Sequence, residues 1–226
     1  MPAPSASSAH AARAKRRRAR KRTRRDAPRP GLSTSPTELF EIGAGLGVQS
    51  ELSRVFRRKA LEIAGSRAGM PTLFLNTHPS ELAEPGLLEA LIELRRQMPT
   101  QQITIEIHEA AVVKTSHIAE LRAGLRDHGI GLAYDDFGAG QARLLELSEV
   151  PPECLKFDVR FVRDIDQAPE SRRRMLKSLV DIARDLGVEP LAEGVETAPE
   201  AEVCVALGFT LGQGYHFGRP APIDRL

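Results

Sequence analysis

Short β-forming runs alternate with longer amphipathic segments along the chain from Ser35 onward. The predicted strands are Thr72–Asn76, Ile103–Ile107, Gly131–Asp135, Cys154–Asp158, Val188–Glu193 and Phe209–Gly214. The predicted helices between and around them are Gln49–Ala64, Ser80–Met98, Ser116–His128, Pro169–Leu186 and Pro199–Leu207. Alternation of this kind indicates an α/β fold, in which a parallel sheet is covered by helices.

Nearly every predicted strand ends in a polar residue. These residues are Asn76, Glu106, the pair Asp135–Asp136, Lys156 with Asp158, Glu193 and Gln213. In a (β/α)8 barrel the carboxyl ends of the strands converge on one face, and the active site lies there. The strands would therefore deliver several carboxylates, amide groups and a lysine to one mouth.

Carboxylates brought so close together repel one another, and a divalent cation among them removes that repulsion. Ligands that are all oxygen favour Mg²⁺, Mn²⁺ or Ca²⁺ over Zn²⁺. The adjacent pair Asp135–Asp136 suits two metal ions about 3.5–4 Å apart, as in two-metal phosphodiester cleavage. Taken singly, an Asp after a strand is also a common helix N-cap, and an Asn there is common turn chemistry.

Composition narrows the class of protein. With 226 residues, 41% of them hydrophobic, the chain can bury one sizeable core. No apolar run approaches the roughly 20 residues that a bilayer crossing needs. The two cysteines, Cys154 and Cys204, form no disulfide framework or metal motif, and we expect reduced thiols and a cytoplasmic location. Only 4% of the residues are aromatic and none is Trp, which argues against a base-stacking surface.

Charge is distributed unevenly along the chain. Residues 1–34 carry eleven Lys or Arg and a single acid, Asp26, whereas the remainder has a net charge of −8. We therefore predict two parts: a disordered basic arm and linker over residues 1–34 and a barrel domain over residues 35–226. The arm suits a polyanion such as nucleic acid or an anionic membrane. An extension without a selected role is the alternative.

The polar strand ends stand within motifs that resemble the EAL-domain cyclic di-GMP phosphodiesterases. The motifs are Asp135–Gly140 (DDFGAG), Leu155–Asp158 (LKFD), Ala192–Thr197 (AEGVET) and Gln213–Tyr215 with Pro220 beyond. Earlier in the chain, Phe74–Asn76 and Glu106–Glu109 fit the family's Asn and Glu-x-x-Glu positions. The resemblance runs in the family's order from about Ser35 to Pro222.

This resemblance implies a TIM-barrel-like (β/α)8 fold, Mg²⁺ or Mn²⁺, and hydrolysis of cyclic di-GMP to linear pGpG. It implies these site residues: metal ligands Asn76, Glu106, Asp135 and Asp136; Glu193 beside a metal or its water; Lys156 at the water or phosphate; Glu109 bracing the loop after Asp136; and Asp158, Glu196 and Gln213 near the substrate. A homodimer or a partner protein would cover the backbone edges that a barrel lacking its first strands exposes.

One departure concerns the first part of the barrel. The family's Glu-Ala-Leu and the Arg soon after it stand upstream of the Asn strand, where this chain has the basic arm. We therefore expect a barrel incomplete at its first strands. The string Glu89–Leu91 reads Glu-Ala-Leu, but it follows Asn76 and lies within a predicted helix, so we interpret it as ordinary helix.

Three hypotheses follow from the sequence. The first is an EAL-type hydrolase of cyclic di-GMP, slowed by the missing Glu and Arg. The second is a degenerate EAL domain that binds a nucleotide or a protein partner without turnover. The third is a nucleic-acid or membrane binder that acts through its basic arm.

Overall fold

The computed structural model describes residues 35–65, 71–111, 115–139 and 143–221. The chain divides into two units between Leu46 and Gly47. In the first unit, the described residues form helix α1 (Pro36–Leu46), which begins on a proline and has Glu38 in its first turn. Both features favour a helix start, because proline lacks the unbonded N–H and the acid complements the helix dipole. The predicted basic arm lies outside the described residues.

Within the described part of the second unit, six parallel strands form one sheet. They are β1 (Leu73–Thr77), β2 (Ile103–His108), β3 (Ile130–Phe137), β4 (Cys154–Phe157), β5 (Glu189–Ala192) and β6 (Leu211–Gly212). Their order across the sheet is their order in the chain. Each of the six predicted runs is thus confirmed as a strand, and among the described residues β1 and β6 are the two edges.

Within the described part of the second unit, one helix precedes β1 and at least one helix separates each pair of consecutive strands. These helices are α2 (Gln49–Ala64), α3 (Leu87–Gln97), α4 (Thr115–Asp127), α5 (Leu144–Glu149), α6 (Val159–Val162), α7 (Glu170–Asp185) and α8 (Ala198–Leu207). The single helix predicted over Ser80–Met98 is wrong in its first part. A 3-10 turn occupies Pro79–Ala83, and α3 starts only after Gly86, whose φ is 87°. Such a left-handed conformation interrupts a helix and suits glycine.

The two faces of the sheet bury different residues. On the outer face, residues such as Ile105, Leu132 and Leu155 are almost wholly buried in one large cluster with helix residues such as Leu125 and Val180. Because side chains alternate along a strand, the residues between them face the other way. The sheet therefore carries its main core between strands and helices, as in other barrels.

The inner face has its own small apolar layer. Ala133, Cys154 and Leu191 are buried together, and Phe74 of β1 and Leu211 of β6 pack against them. Residues from the first and last strands reach the same cluster, which requires the sheet to curl. The described strands thus form a curled half-barrel whose inner face is filled by side chains.

Candidate metal centre and active site

Polar side chains form the next layer of the inner face, toward the carboxyl ends of the strands. Five of them stand two residues after a member of the layer below, and Glu106 stands two residues after the buried Thr104, so all lie on the same face. The polar residues are Asn76, Glu106, Asp135, Lys156, Glu193 and Gln213. Backbone register supports the grouping, because Asn76 pairs with Glu106 and His108 with Asp135.

A bulge in β3 brings two consecutive aspartates to this mouth. The register with β4 shifts between Tyr134 and Phe137, and both of these residues remain buried in the outer core. Asp136 has a φ of 58°, in the left-handed region that aspartate tolerates better than most residues. The extra residue lets Asp135 and Asp136 share the site while the outer core stays in register.

Lys156 lies at the centre of the carboxylates. Its Nζ is 2.5 Å from Glu106 Oε1, 2.7 Å from Asp135 Oδ1 and 2.9 Å from Glu193 Oε1. The lysine side chain is almost wholly buried, and the stem of the residue starts between the outer-core residues Leu155 and Phe157. Burial lowers the pKa of Lys156, but the three carboxylates outweigh burial and raise it, so the ammonium is held in its charged form.

Lys156 does not neutralise all of the negative charge of the four carboxylates, which are those of Glu106, Asp135, Asp136 and Glu193. Burial raises the pKa of Glu193 to about 7, with Asp135 adding to the rise and Lys156 opposing it. Burial likewise raises the pKa of Glu106 and of Asp136, again reinforced by Asp135. When all four are ionised, the single charge of Lys156 leaves the cluster with a net charge of −3. An added cation would stabilise the ionised state.

A group of three carboxylates is spaced to hold that cation. Asp135, Asp136 and Glu193 each offer an oxygen, and these atoms lie within 4.8 Å of one another. The donor set is oxygen, which fits Mg²⁺, Mn²⁺ or Ca²⁺. Glu106 contacts the same Lys156 ammonium as Asp135 and Glu193 do. Asn76 of β1 pairs in register with Glu106 and lies next to it on the inner face. The residues present therefore fit a divalent metal.

Gln213 orients Glu193. Its Nε2 donates to Glu193 Oε1 at 2.5 Å, the same oxygen that Lys156 contacts. Both contacts are made by Oε1 of Glu193 and not by Oε2. This contact places Gln213 beside Glu193, and its role toward a substrate stays a prediction.

Three other predicted site residues lie outside the carboxylate cluster. Glu109 accepts backbone N–H bonds from Gly138 at 2.9 Å and from Arg143 at 2.7 Å, and so fastens the segment after Asp136. Asp158 caps helix α6 by accepting from the backbone of Arg160 at 2.8 Å. These contacts give both carboxylates a structural role in the described residues.

Glu196 is the third of these residues. Its two carboxylate oxygens accept from the two terminal nitrogens of Arg163, at 2.6 and 2.8 Å. A bidentate pair of this kind fixes both side chains in one plane. The pair lies at the start of α8, one residue before its N-cap Thr197.

A sequence profile of the EAL domain matches residues 11–220. This chain belongs to the EAL-domain family. The match begins within the predicted basic arm and covers the described residues up to Pro220. The division at residues 34 and 35 stays a prediction.

Curated relatives of this EAL domain carry names that state an activity. It is 35% identical over 170 residues to the cyclic di-GMP phosphodiesterase RocR of Pseudomonas aeruginosa, covering 74% of this chain and 42% of RocR. It is 30% identical over 152 residues to the cyclic di-GMP phosphodiesterase PdeB of Shewanella oneidensis, covering 66% of this chain and 18% of PdeB. The chain thus spans less than half the length of either relative.

A solved structure similar to this EAL domain holds both a metal and a nucleotide. The manganese and cyclic di-GMP complex of BlrP1 from Klebsiella pneumoniae is 31% identical and has a TM-score of 0.75. The similarity covers 83% of this chain and 48% of that one. A calcium and cyclic di-GMP complex of the same protein matches in the same way. In the EAL domain described above, no helix among the described residues is long and apolar enough to cross a membrane.

Two residues outside the predicted set of site residues support this EAL site. Arg57 of α2 is buried, pairs with the buried Glu81 and donates to the backbone oxygen of Asn76 at 3.0 Å. His108 of β2 lies with its Nε2 at 3.3 Å from Asp136 Oδ2. Arg57 stands four residues from both Ser53 and Leu61 on the buried face of α2, and that spacing was the available signal.

Proposed function

We propose that this EAL domain hydrolyses cyclic di-GMP to a linear dinucleotide with the help of divalent cations. The observation that carries this proposal is the convergence of Lys156 with Glu106, Asp135 and Glu193 at the carboxyl end of the half-barrel. The names of RocR and PdeB and the manganese and cyclic di-GMP complex of BlrP1 support it.

Asp135, Asp136 and Glu193 would hold the cation, and Glu106 and Asn76 stand next to them on the inner face. Bound divalent cations supply an ionised water and neutralise charge that develops at phosphorus. Mg²⁺ and Mn²⁺ are the ions we assign, because the donors are carboxylate and amide oxygens. The bulge in β3 and the left-handed backbone of Asp136 determine the directions in which the side chains of Asp135 and Asp136 point.

Lys156 keeps its ammonium among the carboxylates, where it can contact the attacking water or a phosphate oxygen. Its three ion pairs fix the ammonium before substrate binds, so that no reorganisation is needed during the reaction. Gln213 holds Oε1 of Glu193, which leaves Oε2 to accept a proton from water. Glu109 keeps the loop that follows Asp136 in place.

The reaction is a hydrolysis and needs only water as co-reactant. A bond forms between the water oxygen and phosphorus, and the bond between phosphorus and the 3′ oxygen breaks. One proton of the water ends on the leaving 3′ oxygen. The product is linear and keeps the phosphate at its 5′ end.

The test is a single-turnover assay with cyclic di-GMP and Mn²⁺, with products separated by chromatography. The Asp135→Asn variant should lose about 10²–10³ in rate, as expected when one electrostatic contact to the reacting centre is removed. The matched control is Asp181→Asn, since Asp181 lies on α7, is half-exposed and pairs only with Lys177 in the described contacts. Equal rates for Asp135→Asn and wild type would overturn the proposed function. Binding of cyclic di-GMP without turnover in wild type would support the degenerate-domain alternative.

A further inference from the structure

His108 occupies the last inner-face position of β2. It stands two residues after Glu106 and pairs in register with Asp135 of β3. Its ring reaches across to the next aspartate, and Nε2 lies 3.3 Å from Asp136 Oδ2. A nitrogen donor therefore sits at the rim of a cluster whose other donors are oxygens.

The separation between His108 and Asp136 suits two ligands of one ion. With bonds of about 2.1 Å, adjacent ligand atoms in an octahedral shell are about 3 Å apart. A hydrogen bond between a charged donor and a carboxylate is shorter, typically about 2.7–2.9 Å. The observed 3.3 Å is compatible with two adjacent ligand atoms of one ion.

Access to this contact is open. The His108 side chain is 44% exposed and that of Asp136 is 40% exposed. A hydrated cation can therefore reach both groups from the mouth of the half-barrel. The bulge of β3 places Asp136 here, because a regular strand would have turned it to the outer face.

We propose that His108 is a nitrogen ligand of the divalent ion held at Asp136, and that it makes this site prefer Mn²⁺ or Zn²⁺ to Mg²⁺. The inference rests on the proposed function, since it concerns an ion bound at Asp136, which also belongs to the group of Asp135, Asp136 and Glu193. Imidazole suits Zn²⁺ and other transition metals, whereas Mg²⁺ favours oxygen donors. One imidazole ligand among oxygen ligands raises the affinity of the site for Mn²⁺ and Zn²⁺ relative to Mg²⁺ and leaves the hydrolysis reaction the same.

The decisive measurement is pulsed electron paramagnetic resonance on the Mn²⁺-loaded chain without a histidine tag. A coordinated imidazole gives a ¹⁴N coupling to Mn²⁺, whereas a histidine that only hydrogen-bonds to Asp136 does not give the directly bonded coupling. We expect the coupling in wild type and its loss in His108→Gln. The matched control is His128→Gln. His128 precedes the amino end of β3, at the end opposite Asp135, and its Nδ1 contacts the Gly124 carbonyl at 2.9 Å.

Calorimetry on the same proteins gives a second readout. His108→Gln should weaken Mn²⁺ binding about tenfold and leave Mg²⁺ binding within about threefold, because only the first ion gains much from imidazole. Circular dichroism checks that the variant is folded. An unchanged ratio of the Mn²⁺ and Mg²⁺ affinities would overturn the inference.

The outcomes separate this inference from the proposed function. Mn²⁺ binding that depends on Asp135 but shows no ¹⁴N coupling would overturn the role of His108 and leave the proposed metal site standing. Coupling that persists in His108→Gln would assign the nitrogen to another residue. Failure of wild type to bind Mn²⁺ at all would overturn both proposals.

Discussion

Replacing Lys156 with methionine should weaken the fold and strengthen metal binding at the same time. Met keeps much of the apolar stem but removes an ammonium that contacts Glu106, Asp135 and Glu193. With Glu106, Asp135, Asp136 and Glu193 all ionised, the net charge of the cluster then goes from −3 to −4. Metal-free protein must accommodate that charge by losing stability or by taking up a proton, whereas a divalent cation can neutralise it.

The size of each effect follows from the burial of these groups. Removing one partner of a buried ion pair typically costs about 3–5 kcal/mol. Two unit charges 4 Å apart interact by about 4 kcal/mol at an effective dielectric constant near 20. The side chains of Asp135 and Glu193 are 19% and 12% exposed, so water weakens the repulsion that Lys156 exerts on a bound cation. We expect about 1.4 kcal/mol of this repulsion to remain in wild type. Its removal in Lys156→Met corresponds to an about tenfold tighter Kd for Mn²⁺.

Two assays measure these changes separately. Urea denaturation in EDTA should show the loss of stability in Lys156→Met, and calorimetry should show the tighter Mn²⁺ binding. Single-turnover hydrolysis of cyclic di-GMP should nevertheless fall by about 10²–10³, because a fixed charge near the reacting phosphate is gone. The variant thus binds metal better and reacts more slowly.

The control is Lys177→Met on α7, where the lysine is half-exposed and pairs with Asp181. That substitution should change stability by less than about 1 kcal/mol and leave metal affinity unaltered. Unchanged or weaker Mn²⁺ binding in a folded Lys156→Met variant would refute the electrostatic reasoning, and would mean that the lysine positions the carboxylates more than it competes with the ion.

Three further outcomes are expected. Glu81→Gln should lower the free energy of unfolding by about 3 kcal/mol near neutral pH, because the buried Arg57 loses its counter-charge. Burial raises the pKa of Glu81, but hydrogen bonds, with those from Arg57 first, outweigh burial and lower the pKa below the usual 4.5. In urea denaturation, the difference in unfolding free energy between Glu81→Gln and wild type should therefore shrink as pH falls below about 4.5. Deletion of residues 1–34, whose sequence carries a net charge of +10, should make the chain elute from heparin at lower salt; equal elution would count against a polyanion-binding arm. A family-type first segment with its Glu-Ala-Leu, placed before Ser35, should raise single-turnover hydrolysis by about 10²-fold or more, and equal rates would show that another residue already supplies that ligand.

Strand positions and the inner face were predictable because both depend on local periodicity. The run from Ile103 to Ile107 alternates its apolar residues, so Glu106 had to lie opposite the outer core. Parallel strands then place such residues at one end of the sheet. The sequence predicted in this way that Glu106, Asp135, Lys156 and Glu193 would meet, and the structure brings them together.

Other features depend on contacts that local pattern does not encode. The left-handed backbone of Asp136 arises where β3 must satisfy the outer core and the site together, so no spacing rule reveals it. The helix predicted from Ser80 begins only at Leu87, after the left-handed Gly86. The apolar spacing of Leu87 and Leu91 indicates a helix there but does not mark where that helix begins. Arg57 is buried against the usual preference of arginine, since Glu81 neutralises it only in the folded chain.

Sequential strand order has a consequence for how the protein is made. Each strand pairs with the strand that precedes it in the chain, so the sheet can grow one strand and helix at a time while synthesis proceeds. The aspartates of β3 are then in place well before Glu193 at the end of β5 has been translated. A nascent chain therefore holds a half-built, strongly acidic cluster until β5 docks on β4 and Gln213 closes on Glu193. Substitutions that delay this last docking would lengthen the lifetime of an intermediate with an exposed sheet edge, and their cost would appear as aggregation during synthesis even where the finished protein is stable.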